Sequence, residues 1–451
     1  MKHKELFVSI IRKSTILIIT VAFVAAAPSL ARPEEVPEWT LRQCLRMAYQ
    51  NNPQLQSSKF GVRENEARIR EARARYYPWL NIGASAGRYG YEATPGRTGS
   101  TSRESYQAGI YASYTLFEGF GRTAENDAAR AAFEASRARY TQNSSDLARD
   151  VTGTYYRLLQ SRRMVTVAHK SLKRAEVHLD YARARFENGL ASKSDILKSK
   201  VERSSADLAL IRARNSLLAA SGHLNMLLGR PANKLIRIKD DMESGMLDIS
   251  LDSLSVRADV EDLINTAYKS RPELRELNQQ LKAQRAAIRM ARSDYFPTIS
   301  LDGNYTYTGD RASDLTGTSY IGVSLSMPLF SGFSRPARSE QESWELRVLE
   351  KVVQNIQNQI SLEVWEAYLA VKEAYERNIS NEIYYGNAVE NLRIAEGEYR
   401  EGVGSMPEVI DAETALVSAE ENYVEALADF QISLAELKRA VGSDDIEEII
   451  Q

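Results

Sequence analysis

The sequence predicts a mixed α and β fold in which one unit, helix–β-hairpin–long helix–helix, occurs twice. Three observations predict it. The chain matches itself at a nearly constant offset, two long stretches hold almost no glycine or proline, and four short segments alternate apolar and polar residues. Ala48-Tyr49 recurs as Ala267-Tyr268, Asn52-Pro53-Gln54-Leu55 as Arg271-Pro272-Glu273-Leu274, and Tyr77-Pro78 as Phe296-Pro297, each 219 residues on. Leu116-Phe117-Glu118-Gly119-Phe120 recurs as Leu329-Phe330-Ser331-Gly332-Phe333, 213 residues on. Phe186, Gly189, Ser192 and Asp195 recur as Tyr399, Gly402, Ser405 and Glu408 at that same offset, and so does Gly229 as Gly442. The change of offset falls between Asn81 and Leu116, where a surface hairpin tip tolerates lost residues.

Taken in order, residues 1–31 are expected to be a signal peptide. Lys2, Lys4, Arg12 and Lys13 precede the apolar run Ile16–Ala27, which is too short for a typical spanning helix. Ser29-Leu30-Ala31 fits the small-x-small rule, placing cleavage after Ala31; an uncleaved anchor is the alternative. The first repeat is then 32–229, a linker 230–260, the second repeat 261–442 and a tail 443–451. Each repeat opens with a helix of ordinary length, from about Leu41 to Tyr76 with a break near Pro53, and from about Asp259 to Tyr295. A hairpin follows, at about 79–116 and about 298–329. Very long helices run from Arg122 to about Phe186 and from about Arg335 to Tyr399, on the order of 100 Å each at 1.5 Å per residue. They end in the turns Asn188-Gly189 and Glu401-Gly402-Val403-Gly404, from which a further helix returns. The returning helices carry heptad spacing: Leu416, Glu420, Tyr423, Leu427, Phe430, Leu434 and Leu437 in one, Leu197, Val201, Ser204, Leu208, Ile211 and Leu218 in the other.

The hairpin segments, about Trp79–Tyr89, Ser105–Leu116, Thr298–Thr308 and Tyr320–Leu329, alternate with period two. Tyr106, Ala108, Ile110, Ala112, Tyr114 and Leu116 share one face of the second. In the fourth, Ile321, Val323, Leu325 and Met327 oppose Gly322, Ser324 and Ser326. Strands of about ten residues with an apolar and a small polar face suit an outer-membrane barrel. Trp79 and the terminal tyrosines suit an interfacial girdle. The connecting segments Glu92–Glu104 and Gly309–Ser319 are polar, as solvent-facing loops are. A soluble sheet with one buried face fits the alternation as well. Four strands close no barrel, since small barrels need about eight, and open edges are forbidden in lipid. If these strands lie in a membrane, several chains must each contribute four.

The formal net charge of −2 gives no reason to expect a nucleic-acid partner. Cys44 is the single cysteine, so there is no disulfide framework within the chain. His169, His178 and His223 are dispersed and show no metal-ligand spacing, and no phosphate-binding glycine loop or Gly-x-Ser-x-Gly motif occurs. Nothing here points to an enzyme, a metal or a cofactor.

The processing segment, the duplicated unit and the four strands together resemble the TolC family of outer-membrane efflux proteins, over Trp39 to about Gly442. The motifs that carry the resemblance are Trp39-Thr40-Leu41 leading into Ala48-Tyr49-Gln50-Asn51-Asn52-Pro53, the two Tyr/Phe-Pro junctions, the two Phe-x-Gly-Phe strand exits, and the glycine turns followed by Ser-x-x-Asp/Glu. The resemblance implies a homotrimer whose twelve-stranded barrel continues into a periplasmic α-helical barrel, with the linker and tail forming an equatorial belt. It implies an exit duct of a tripartite efflux or type I secretion system, set in outer-membrane lipid. The expected partners are a periplasmic adaptor and an inner-membrane transporter. Pro78 and Pro297 are expected at the helix-to-strand junctions, where they fix φ and remove a donor, and Gly119 and Gly332 at the reverse bends. Plain element termination explains these residues equally.

The resemblance places Glu408 and Asp411 at the periplasmic pore entrance, as stacked carboxylate rings. Glu408 is also the last residue of a capping box begun by Ser405, as Asp195 is of one begun by Ser192. Asp411 lies a turn further in and cannot cap. Asp195 and Tyr399 match one link that holds the family's entrance shut, whereas Gly404 stands where another link needs a basic residue. Gly189, Leu190, Gly402 and Val403 are the expected adaptor-contacting tips; simple helix–helix turns need only the glycines. The alternative reading of the whole chain is an exported periplasmic coiled-coil protein, structural or adaptor-like, with small soluble sheets.

Overall fold

The structure, a computed structural model, describes residues 38–91, 101–240, 242 and 260–442. The expected signal peptide, the centre of the first hairpin loop, most of the 230–260 linker and the 443–451 tail lie outside the described residues.

Strand β1 (Glu38–Trp39) leads into α1 (Leu41–Asn51) and α2 (Pro53–Ala74). Thr40 caps α1 in a reciprocal box: the Gln43 amide donates to Thr40 Oγ1 at 3.3 Å, and the Thr40 amide to Gln43 Oε1 at 2.9 Å. At the break, Asn52 Oδ1 accepts from the Leu55 amide at 3.0 Å, and Pro53 takes the first helical position, where no donor is needed. Strands β2 (Trp79–Tyr91) and β3 (Thr101–Glu118) form the first hairpin, before α3 (Gly121–Glu187), α4 (Lys193–Leu227) and β4 (Arg237–Ile238). The second half repeats the order as α5 (Val260–Ser270), α6 (Pro272–Ser293), β5 (Thr298–Arg311), β6 (Asp314–Ser326), α7 (Ser334–Glu401) and α8 (Met406–Val441). The break before Pro53 has its counterpart before Pro272, where α5 gives way to α6.

The four long strands form one antiparallel sheet in the order β2-β3-β5-β6, with β2 and β6 as open edges; β1 pairs in parallel with β4. Register assigns the faces. Leu80, Ile82, Ile110, Ile321, Val323 and Leu325 share one face, and each is exposed. Asn81, Ser113, Asp302, Asn304, Thr306 and Ser324 share the other.

Four expectations for the sheet change. Trp79 is level with Ser113 and hence on the polar face, not in an apolar girdle. A bulge between Thr115 and Phe117 aligns Phe117 with Ile299 and takes Leu116 out of the apolar row, because two residues there oppose one. The second connecting segment is far shorter than Gly309–Ser319, since β5 and β6 run on to Arg311 and Asp314. Alternation marks only the part of a strand with an apolar face; polar residues beyond it still pair through their backbones. Pro328, which has no backbone donor, follows the end of β6 at Ser326, so Met327 and Leu329 lie outside the strand.

Helices α3 and α8 pack on each other, α4 flanks α3 and α7 flanks α8. Near β4 the core gathers Leu45, Tyr155, Leu159 and Leu224; farther along it gathers Ile360, Val364 and Phe430. Fully burying each aliphatic side chain is worth about 1.5–3 kcal/mol. The α8 seam behaves as its heptads predict, with Leu416, Leu427, Phe430 and Leu437 buried. The α4 seam does not. Leu197, Val201, Leu208, Ile211 and Leu218 keep the spacing but are exposed, Val201 at 71%. Its own chain leaves that stripe largely uncovered, with Leu197 and Val201 at its start lining an open groove beside α8. Among the described residues no helix is long and apolar enough to cross a membrane.

Candidate functional site

The site lies where α3 turns into α4 and α7 into α8. Gly189 and Gly402 adopt φ of +72° and +82°, a region that an L side chain enters only under strain, so glycine ends both long helices. The Leu190 amide closes the first turn on the Arg185 carbonyl at 2.8 Å; the Val403 and Gly404 amides close the second on Glu398, each at 3.0 Å. Leu190 and Val403 project from the turns, exposed at 67% and 81%. Gly404 is needed sterically: a Cβ there would lie 2.9 Å from Glu398 Cβ and 3.1 Å from the Tyr399 amide. The turn therefore excludes the basic side chain expected at this position.

Both returning helices start in capping boxes. Asp195 accepts from the Ser192 amide at 2.9 Å, and Glu408 from the Ser405 amide at 2.6 Å. The Ser405 backbone bond, then its side-chain bond, hold the Glu408 carboxyl below its usual range. Glu408 is thus engaged in capping while still exposed, so the two uses open to it are compatible. Asp411, also exposed, lies in an open groove of about 640 Å³ between α4 and α8, lined in part by Lys198, Val201, Glu202 and Glu413.

Asp195 and Tyr399 come near one another without bonding directly. Burial first, then the Asp195 charge, raise the Tyr399 phenol above its ordinary value, with Arg185 opposing. The Tyr399 ring is buried, and its hydroxyl has no hydrogen-bond partner among the described residues. What joins the two turns is Arg185. From α3 its guanidinium donates to the carbonyls of Tyr399 at 2.5 Å and Arg400 at 3.2 Å, and it stacks 4.9 Å above the Tyr399 ring. It adds a donor to carbonyls of the last turn of α7, where the Tyr399 carbonyl also accepts from the Gly402 amide at 3.2 Å. Sequence reasoning missed Arg185. A cation in a last helical turn was a legible signal, but the helix it would serve was not.

At the other end of the long helices each junction is left-handed on two successive residues, a glycine that adopts it freely and a phenylalanine that is strained by it. Gly119 and Phe120 have φ of +60° and +67°; Gly332 and Phe333 have +61° and +63°. Each phenylalanine meets the ring three residues before it edge-on, at 5.6 Å for Phe117–Phe120 and 5.4 Å for Phe330–Phe333. Pro78 and Pro297 stand immediately before β2 and β5.

A sequence model described as outer membrane efflux protein matches residues 44–230 and 263–443. Protein CyaE of Bordetella pertussis is 23% identical over 427 residues, covering 92% of this chain and 88% of its own. Outer membrane protein TolC of Vibrio cholerae is 24% identical over 424 residues, covering 89% and 90%. Among solved structures, CusC superposes with a TM-score of 0.78 at 19% identity, over 90% of this chain and 93% of that one. The CmeC outer membrane channel of Campylobacter jejuni gives 0.76 at 16% identity, over 90% and 88%. The chain belongs to the outer membrane efflux protein family.

Proposed function

We propose that the protein is an outer-membrane exit duct of a tripartite efflux or type I secretion system, a passive trimeric channel gated at its periplasmic end. The observation that carries this reading is the sheet: four strands with an exposed apolar face, a polar face and two open edges. In lipid such a sheet is satisfied only by closing with copies of itself. The exposed α4 seam supports the same assembly, because it offers an apolar stripe to a neighbouring protomer. The relatives point the same way, being outer membrane channels and efflux proteins by name. A coiled-coil scaffold with soluble sheets leaves the apolar sheet face uncovered, which disfavours it.

In the assembled duct the turns are the periplasmic entrance. Glu408 and Asp411 from three chains form two carboxylate rings, and Asp411, free of capping duty, is the main gate charge. Tyr399 and Asp195 keep the entrance narrow, and Leu190 and Val403, presented by Gly189 and Gly402, receive the adaptor. Energy comes from an inner-membrane transporter; no step of chemistry belongs to this chain.

Ion current through the purified protein in a planar bilayer tests the reading. The expected result is small cation-selective steps that Asp411→Ala enlarges or frees from divalent-cation block. Steps unchanged by the substitution remove Asp411 from the gate. Folded protein that never inserts and stays soluble without detergent overturns the duct.

A further inference from the structure

Level with the groove that holds Asp411, all four long helices meet at one buried histidine. His178, on α3, is 6% exposed. Its Nδ1 lies 3.3 Å from Glu202 Oε1 on α4, and its Nε2 lies 3.1 Å from Glu396 Oε1 on α7. From α8, Glu413 adds its charge, and Arg174, one turn earlier on α3, holds Glu413 at 2.8 Å and Glu420 at 3.2 Å. The remaining charges lining the groove are Lys198 on α4 and Asp411 on α8. Glu202 Oε2 is buried with no hydrogen-bond partner among the described residues.

The geometry itself calls for a proton. An ionised carboxylate only accepts hydrogen bonds, and a neutral imidazole has one donor nitrogen and one acceptor nitrogen. With a carboxylate oxygen against each ring nitrogen, a neutral ring satisfies one glutamate and turns a lone pair on the other. Only the imidazolium donates to both. Charge balance agrees, since Glu202, Glu396, Glu413, Glu420 and Asp411 outnumber the two permanent cations beside them, Arg174 and Lys198.

We infer that His178 is a proton-operated latch: doubly protonated it ties α4 and α7 to α3 beside the turns, and on losing one proton to water it frees one of them. Burial disfavours the charged ring, but the bonds to Glu202 and Glu396 and the charges of Glu202 and Glu413 outweigh it, and the net displacement is upward from 6.5. The sign follows. A group whose affinity for a proton is raised in the latched state stabilises that state fully below the ordinary imidazole range, and the stabilisation fades as pH rises through the raised value. Acid tightens the helical end, and alkali loosens it. The latch stands on this cluster alone; its effect on conduction rests on the duct reading.

The test uses the full protein in detergent with carbon-13-labelled histidine. His169 and His223 are exposed, so His3→Gln, His169→Gln and His223→Gln assign their signals and leave that of His178. The expected titration midpoint of His178 lies above 6.5 and falls in Glu202→Gln; a midpoint at or below 6.5 overturns the latch. Hydrogen exchange of the segments around Glu202 and Glu396, corrected for intrinsic rates, is then followed from about pH 6 to about pH 8.5. Protection is expected to fall about tenfold per unit of raised midpoint in the native protein and to stay flat in His178→Gln. Equal pH dependence in that variant overturns the latch. Should the variant fail to fold, the native titration still decides. Neither readout needs a current, so failure of the duct reading is seen separately in the bilayer.

Discussion

Gly119 and Gly332 hold the same place in the two repeats and the same left-handed backbone, yet their surroundings differ. A Cβ on Gly119 would lie 2.5 Å from the Ser293 carbonyl oxygen and 2.7 Å from Phe296 Cβ, whereas one on Gly332 meets nothing within 4 Å. Gly332→Ala pays only the φ penalty, about 1–2 kcal/mol. Gly119→Ala adds a backbone clash that α6 must yield to, and is expected to cost at least about 1 kcal/mol more, the scale of small overpacking. Thermal unfolding of the two variants checks this; equal losses would show that the α6 end moves freely. The pair also marks what a sequence discloses at this scale. The repeat located both glycines, but their unequal crowding depends on Ser293 and Phe296, which another element brings in. Asn52 and Arg271 teach the same lesson. They are repeat partners of unlike chemistry, and both reach the end of a returning helix, Asn52 at the Leu227 carbonyl and Arg271 at the Arg439 carbonyl. Residue type alone gave no hint of that shared task.

Among elements, α4 and α8 are the instructive pair. Their heptads read alike, but α8 lies between α3 and α7 while α4 has α3 chiefly on one side. Spacing reports that a face is apolar; it does not say which chain covers it. The elements that were legible, the long helices, the glycine turns and the proline junctions, are fixed by local chemistry. Those that were not, the β1–β4 pairing and the full length of β6, depend on backbone bonds that any side chain permits. The exposed α4 stripe carries a prediction. Val201→Glu places a charge at a position already open to water in the single chain, so the helix content of the protein stays as it is. In an assembly where a neighbour covers Val201, the same charge is buried unpaired, at a cost of several kcal/mol. Size-exclusion chromatography with light scattering is expected to show a folded variant that no longer assembles. An intact oligomer would mean that the stripe is not an interface.

For the whole molecule the question is how many copies close the sheet. Each chain brings four strands and leaves β2 and β6 open, so in the proposed duct neighbouring copies would pair head to tail and form a ring if the rotation closes. Two copies give eight strands, a barrel whose interior side chains fill it. Three give twelve, the smallest number above that limit, and leave a bore. The polar face fits an open lumen better than a packed one: beside Trp79, Tyr111 and Tyr320 it carries Asn81, Ser113, Asp302, Asn304, Thr306 and Ser324, poor material for a dry core. The helices would set the same requirement from their side in the proposed duct, with α4 at one flank and α7 at the other meeting different copies. Exposed Trp344, Leu362, Trp365 and Ile383 give α7 an apolar surface for that contact. Native mass spectrometry from detergent is expected to give a single species of three chains. A dimer would leave a filled barrel incapable of export, and a stable monomer would leave both sheet edges and both helical flanks unmatched, so either result removes the duct along with the trimer.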